Sequence, residues 1–319
     1  MANGCEGAGA AMDVRGMAGE LAGIVGEEAV RTDEPMAAHT TFSIGGPADC
    51  FVEPGSAREV RDVVAACRRA GAPFRILGLG SDVLVADAGL RCVVVHLGSR
   101  MARICIEGTK IAVQAGASNA AVARAAQAAG LAGYEFASGI PGTVGGAAIM
   151  NAGAYGGEFK DVCTLVRCLS PAGELVEVPA EEAAWSYRRS MMGDEGYIVL
   201  SAELRLVPDE PAAIQARMDD LAARRAAKQP LDMPSAGSTF KRPDGFFAGK
   251  LVEEAGLRGV RVGGAQVSEK HTGFVVNAGG ATADDVRQLI ALVQQRVFER
   301  AGVRMEPEVR LWGFEDGQA

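Results

Sequence analysis

At 319 residues, the chain is long enough for two or three packed domains and too long for one small core. Its 48% hydrophobic and 23% charged residues exclude a disordered class, and no apolar run approaches the roughly 20 residues needed to span a bilayer. A formal charge of −8 argues against nucleic acid or an anionic membrane surface as the partner, while leaving room for a locally basic cleft that takes a phosphorylated small molecule.

Residues 1–20 are expected to form a loosely ordered extension. They lack a basic start followed by an apolar core, so no secretory signal is expected, and Cys5 lacks the apolar run of a lipoprotein anchor. Ser56-Ala57-Arg58-Glu59 is a capping box; Val60, Val63, Val64 and Cys67 follow at helical spacing and predict a helix ending near Gly71. Residues 74–77 and 92–95 read as short buried strands, with 78–90 as the loop between them. Residues 103–115 alternate like strands, and Ser118 to Ala129 is an alanine-rich helix stopped by Gly130. From 136 to 157 nearly every residue is small.

Strand-like runs at 162–169, 174–178 and 197–206 precede a polar helix over 211–228 that carries Ile214, Met218 and Leu221. The remainder predicts a helix over 247–255, a strand at 272–277 and a long helix over 283–301. That last helix opens on Thr282-x-x-Asp285 and lines up Val286, Leu289, Ile290, Val293 and Val297 on one face. Strands gathered in clusters point to an α+β fold rather than one doubly wound sheet. Seven cysteines, an odd number with no Cys-x-x-Cys pair, fit reduced structural thiols. His39, His96 and His271 are scattered, so no histidine-based metal site is expected.

Glycine is over-represented, at 42 of 319 residues or about 13%, against roughly 7% in average proteins. Gly78-Leu79-Gly80-Ser81 directly follows a predicted strand. A turn there points successive N–H groups into one concavity suited to a pyrophosphate, although an ordinary tight turn has the same pattern. It is not a dinucleotide fingerprint, since no third glycine opens a helix. The second stretch, Ile140-Pro141-Gly142-Thr143-Val144-Gly145-Gly146-Ala147 with Asn151-Ala152-Gly153, places small residues where side chains would block a ligand; close helix packing favours the same residues. Two such loops fit a large cofactor with a pyrophosphate in its middle.

Seven segments carry a resemblance in order: HTTFSIGGPADCFVEP (39–54), ILGLGSDVLVADAGL (76–90), SGIPGTVGGAAIMNAGAYGGEFKDV (138–162), SYRRS (186–190), SAGSTFKRP (235–243), KLVEEAGLRGVRVGGAQVSEKHTGFVVN (250–277) and EPEVRLWG (306–313). Through them the chain resembles the UDP-N-acetylenolpyruvoylglucosamine reductase (MurB) family over residues 32–313. The shorter type II branch is implied, because 207–235 holds no tyrosine-bearing insertion. The resemblance implies a two-lobed FAD-binding domain of the p-cresol methylhydroxylase type, with lobes at 21–98 and 99–210, and a smaller α+β substrate-binding domain at 211–319. It also implies non-covalent FAD, NADPH as co-substrate and a UDP-amino sugar enolpyruvate as the molecule reduced. A cytoplasmic monomer that engages neither nucleic acid nor membrane is expected.

Reducing an enolpyruvyl ether adds hydride to the β-carbon and a proton to the α-carbon. The adjacent carboxylate, already negative, must take on more charge, so the site needs a fixed cation or acid there and a proton donor over the α-carbon. By resemblance Arg188 holds the carboxylate, Glu308 is the catalytic carboxyl group and Ser238 donates the proton, poised through Lys241 or an ordered water. Glu306 and Glu308 fall on one face of a strand, so spacing alone does not separate them.

Gly78, Leu79, Gly80, Ser81 and Asp82 are expected at the cofactor, with Gly142, Thr143, Gly145, Gly146, Ala147, Asn151, Ala152 and Gly153 beside them and Arg310 reaching the flavin. Tyr187, Lys250 and Lys270 are expected at the substrate phosphates, and His271 is equally well a structural residue. Where the family reads Gly-x-Gly-Ser-Asn this chain has Asp82, whose charge would repel a pyrophosphate, so backbone N–H groups are expected to carry that contact. Two other readings stay open: an FAD-linked sugar or alcohol oxidase of the same superfamily, and a flavin-binding paralogue without activity.

Overall fold

A computed structural model describes residues 12–314. The expectations for residues 1–11, Cys5 among them, lie outside the described residues. Eight α-helices are described: α1 Val14–Val25, α2 Ala57–Arg69, α3 Asn119–Ala128, α4 Val144–Met150, α5 Met191–Glu195, α6 Pro211–Lys228, α7 Ala248–Glu254 and α8 Ala283–Ala301. Together with the sheets described below they make an α+β protein. No helix among the described residues is long and apolar enough to cross a membrane.

Two compact units interleave along the sequence. The first takes residues up to Thr32, Cys50–Leu79 and Cys92–Arg225; the second takes Asp33–Asp49, Gly80–Arg91 and Ala226 onward. These bounds differ from the expected 98/99 and 210/211 divisions. The apolar stripe of α6 explains the later shift, because Ile214 and Met218 are buried in the core of the first unit.

Within the first unit, an antiparallel sheet runs in the spatial order Leu175–Pro179, Cys163–Leu169, Ile198–Arg205, Lys110–Gln114, Ile104–Glu107. A second sheet has the order Val30–Pro35, Pro47–Val52, Leu90–His96, Phe74–Leu77, the last two strands parallel. Against it, α2 buries the predicted Val60, Val63, Val64 and Cys67.

The loosely ordered extension is corrected over part of its length, since α1 occupies residues 14–25. Asp13 caps it by accepting from the Gly16 N–H at 3.1 Å, and Met17, Leu21 and Val25 form a buried stripe at four-residue spacing. Fully burying such a side chain contributes roughly 1.5–3 kcal/mol. Intervening glycines and alanines hide that stripe in the sequence.

The second unit packs α8 on a three-stranded meander, Arg261–Val262, Ala265–Val267 and Val275–Asn277. The five predicted apolar residues of α8 are all buried. Its first-turn N–H groups are fully engaged: Thr282 accepts from Asp285, and the Asp87 carboxylate accepts from Ala283 at 2.8 Å and Asp284 at 3.0 Å. The expected loop over 78–90 contains a strand, Val83–Val85, paired in parallel with Arg310–Trp312. Three residues are too few for a periodic signal, and their partner lies more than two hundred positions away.

Candidate active site

Within the first unit, Gly78 meets the second glycine stretch at Thr143. A Cβ on Gly78 would lie 2.6 Å from the Thr143 hydroxyl, so only glycine lets the two segments touch. Gly80 combines φ +59° with a Cβ position already filled by the backbone of His39. Among the described residues, no acceptor meets the N–H groups of Gly78, Leu79 or Gly80. Three successive donors on a turn are what an anionic bridge such as a pyrophosphate needs.

The second loop works differently. Val144 and Gly145 donate to the carbonyls of Ala117 and Ala115, and Gly146 and Ala147 donate to the hydroxyl and carbonyl of Thr143. What α4 offers is therefore a bare surface. At Gly145 a Cβ would crowd Ala115 at 3.0 Å, whereas the exposed Gly146 would meet nothing closer than 3.7 Å. Protein packing does not require glycine at 146, and glycine there costs about 1 kcal/mol of helix propensity relative to alanine. This face of α4 leaves room for a ligand to come close. Ala147 is buried, and a Cβ on Gly153 would strike Glu158 across a short hairpin, so these two answer to packing. Within the first unit, the Gly78 and Leu79 donors and the bare face of α4 fit part of an FAD-sized dinucleotide.

Asn151, expected as a cofactor amide, has its side chain committed within the protein. It is 1% exposed and adopts the left-handed conformation at the C-terminus of α4. Its Nδ2 donates to Glu158 Oε2 at 2.9 Å and to the Ser186 carbonyl at 3.2 Å, and its Oδ1 accepts from the Lys160 N–H at 3.1 Å. Only its backbone is left for a ligand. Ala152 is half-buried beside it.

Arg188 sits in a tight turn closed by two bonds, Ser186 N–H to Arg189 carbonyl at 3.1 Å and Arg189 N–H to Ser186 carbonyl at 3.3 Å. Its φ is +56°, a conformation costing a non-glycine residue roughly 1–2 kcal/mol. The guanidinium lies 5.0 Å from the centre of the Tyr187 ring, which is exposed. Two flanking side chains that sequence reasoning missed hold the turn on α4: Trp185 donates to the Ala148 carbonyl and Ser190 to the Ile149 carbonyl, each at 2.8 Å.

Ser238 and Glu308 lie on adjoining backbone segments of the second unit. The Glu308 N–H donates to the Thr239 carbonyl at 2.8 Å, which sets the serine's neighbour against the carboxylate's own backbone. Ser238 is exposed and Glu308 half-buried. Glu306 is 70% exposed in its side chain and forms an ion pair with Lys241. The Lys241 ammonium, expected alongside an ordered water as one way of poising Ser238, is thus paired with Glu306.

Asp82 and Arg310 are backbone neighbours. The Arg310 N–H donates to the Asp82 carbonyl at 3.0 Å, and Arg310 Nε stands 3.9 Å from the Asp82 carboxylate. The negative charge read as a liability thus has a cation beside it. Ser81 is half-buried in the same turn. Lys250 is well exposed and lies 3.6 Å from Glu254, while Lys270 donates to the Ala226 carbonyl at 2.5 Å. Both ammonium groups therefore already have protein partners.

His271 is structural in its contacts. Its Nδ1 accepts from the Gly273 N–H at 3.1 Å, and the ring meets Phe274 edge-on at 5.0 Å. Burial pushes its pKa below 6.5, helped by the charges of Arg258 and Lys228. The unfolded chain therefore takes up this proton first, near pH 6.5, and the folded state only at lower pH. Stability from this group is complete above about pH 6.5 and is lost as the pH falls through the folded value. Thermal melts between pH 7.5 and 5 should show a falling midpoint, and His271→Asn, which keeps an acceptor for Gly273, should flatten that slope. Equal slopes in both proteins would refute the assignment.

Comparison with known proteins bears on the whole chain. A family model for the UDP-N-acetylenolpyruvoylglucosamine reductase C-terminal domain matches residues 229–312, and an FAD binding domain model matches residues 48–179. The chain is 47% identical over 293 residues to UDP-N-acetylenolpyruvoylglucosamine reductase of Clostridioides difficile (strain 630), covering 92% of this chain and 96% of that one. To the protein of that name from Alkaliphilus metalliredigens (strain QYMF) it is 45% identical over 302 residues, covering 95% and 99%. The crystal structure of UDP-N-acetylenolpyruvylglucosamine reductase (MurB) from Thermus caldophilus superposes with a TM-score of 0.76 at 35% identity, covering 87% of this chain and 97% of that one.

Proposed function

The chain belongs to the UDP-N-acetylenolpyruvoylglucosamine reductase family, and on that premise we propose that it reduces the enolpyruvyl ether of UDP-N-acetylglucosamine enolpyruvate to UDP-N-acetylmuramate, a step of peptidoglycan precursor synthesis, with NADPH as electron donor. The observation that supports this reading is the bond from the Glu308 N–H to the Thr239 carbonyl, which sets the backbone next to Ser238 against that of Glu308 within one unit. Non-covalent FAD, when bound, supplies the hydride for the β-carbon. The N–H groups of Gly78, Leu79 and Gly80 would hold its pyrophosphate, the bare face at Gly146 would let it approach, and Arg310 would contribute to holding the flavin.

Arg188 grips both oxygens of the substrate carboxylate, a task suited to a planar guanidinium. Glu308 shares the charge that develops during the reduction. Ser238 Oγ gives its proton to the α-carbon. Tyr187 contributes to the binding of the substrate phosphates; Lys250 and Lys270 do so on release from their present partners. His39 and His96 are bonded to Glu34 and Glu53, which supports a flavin held without a covalent tether. The six described cysteines are unbridged, and burial pushes the Cys67, Cys163 and Cys168 thiols up to about 12, as suits reduced structural thiols.

A visible absorption spectrum tests the reading. The purified protein should be yellow, bleach under anaerobic NADPH, and regain its colour when the enolpyruvyl UDP-sugar is added. A colourless protein that stays inert after FAD reconstitution would overturn it, as would a flavin that substrate fails to reoxidise.

A further inference from the structure

α4 joins the two parts of the site that lie in the first unit. Its N-terminus carries the bare glycine face, and the turn bearing Arg188 is tied to its C-terminal end. Helix ends leave carbonyls without intrahelical partners. Here the Ala148 and Ile149 carbonyls accept from Trp185 and Ser190, the residues on either side of the turn. Asn151, the next residue after the helix, adds a third tie through the Ser186 carbonyl at 3.2 Å. That carbonyl also accepts the bond closing the turn, so Asn151 acts directly on the geometry that keeps Arg188 at positive φ.

An amide is the one side chain that suits position 151. It donates to Glu158 and to Ser186 while accepting from the Lys160 N–H, which demands both functions in one short group. Its left-handed backbone, φ 42° and ψ 56°, favours asparagine among residues with a side chain. Glu158 brings a negative charge into the same network. Its carboxyl group is held below the usual carboxylate range by hydrogen bonding to Lys160, then, against some desolvation, by the Asn151 bond and the charges of Lys160 and Arg188.

From this arrangement we infer that Asn151 is a positioning residue for Arg188, fixing the guanidinium where it receives the substrate carboxylate. The inference rests on the proposed role of Arg188 in substrate reduction. Its consequence is selective: the half-reaction in which substrate reoxidises the enzyme depends on the arginine, whereas reduction by NADPH does not.

The test compares half-reactions by anaerobic stopped-flow absorbance in the flavin-loaded protein. Two substitutions separate backbone from side chain. Asn151→Gly keeps the left-handed backbone and removes all three bonds. Asn151→Asp keeps the shape and the acceptor but loses the donor to Ser186 and faces Glu158 with a second carboxylate. Each should slow reoxidation by substrate on the order of 10- to 100-fold while flavin content and the NADPH half-reaction stay within about twofold. In an Arg188→Ala background, Asn151→Gly should slow reoxidation no further, because residues that act as a unit are not additive. Wild-type reoxidation in both Asn151 variants, with Arg188→Ala impaired, would overturn the positioning role alone. So would additive losses in the double variant, or equal loss of both half-reactions. An Arg188→Ala enzyme reoxidised at the wild-type rate would overturn both the positioning role and the reading it rests on.

Discussion

Replacing Arg188 by alanine should leave a folded yellow protein whose reoxidation by substrate falls roughly 10²–10³-fold, equivalent to about 3–4 kcal/mol of barrier. The reason lies in the substrate. Its carboxylate starts with one full charge and must accept more as hydride arrives, so stabilisation is needed chiefly in the transition state, where a preorganised cation is most effective. Arg188 meets that requirement structurally: its turn is closed by two hydrogen bonds and anchored on α4 by Trp185, Ser190 and Asn151. Because these anchors use other side chains and backbone, removing the guanidinium leaves the turn in place. Arg188→Lys should recover little, since an ammonium cannot bridge two oxygens in a fixed plane. Single-turnover reoxidation with saturating substrate is the deciding measurement. Loss of affinity with an unchanged maximal rate would show that the arginine only binds, and would remove it from the chemistry.

The parts of this protein that were legible in its sequence are those governed by local periodicity. The capping box at Thr282 and the stripe from Val286 to Val297 fix α8 because each signal lies within a few turns of one helix. The same holds for Ser56 and α2. Contacts between distant segments left no such trace. Val83–Val85 becomes a strand only through Arg310–Trp312, and α4 is hidden by glycines that read as loop.

At the site, residue types were legible and their partners were not. Strand alternation would put Glu306 and Glu308 on one face, whereas in the structure neither lies in a strand and Glu306 pairs with Lys241. Asn151 read as a cofactor amide because it follows a glycine loop, whereas the carbonyl it grips belongs to Ser186, 35 positions away. Asp82 read as an unbalanced charge until strand pairing set Arg310 beside it.

Ser238→Ala provides the sharpest separation of folding from chemistry. Thr239 pins the adjoining backbone three ways: its N–H donates to the Gly273 carbonyl at 2.9 Å, its carbonyl accepts from Glu308 at 2.8 Å, and its hydroxyl accepts from the Val275 N–H at 2.8 Å. Ser238 itself is exposed, so deleting its oxygen should change stability by less than about 0.5 kcal/mol. If its Oγ protonates the α-carbon, the same deletion should slow reoxidation by substrate roughly 10²–10⁴-fold, the usual contribution of a positioned general acid. Reduction by NADPH should persist, because that half-reaction moves no proton to the sugar. Glu308→Gln makes a useful contrast: it keeps the size of the side chain while removing the carboxylate, so it too should slow reoxidation by substrate and spare reduction by NADPH. Thermal melts and the two half-reactions measured on one preparation decide the matter. A variant as stable as the wild type that loses both half-reactions equally would remove Ser238 from proton transfer and place it in cofactor binding instead.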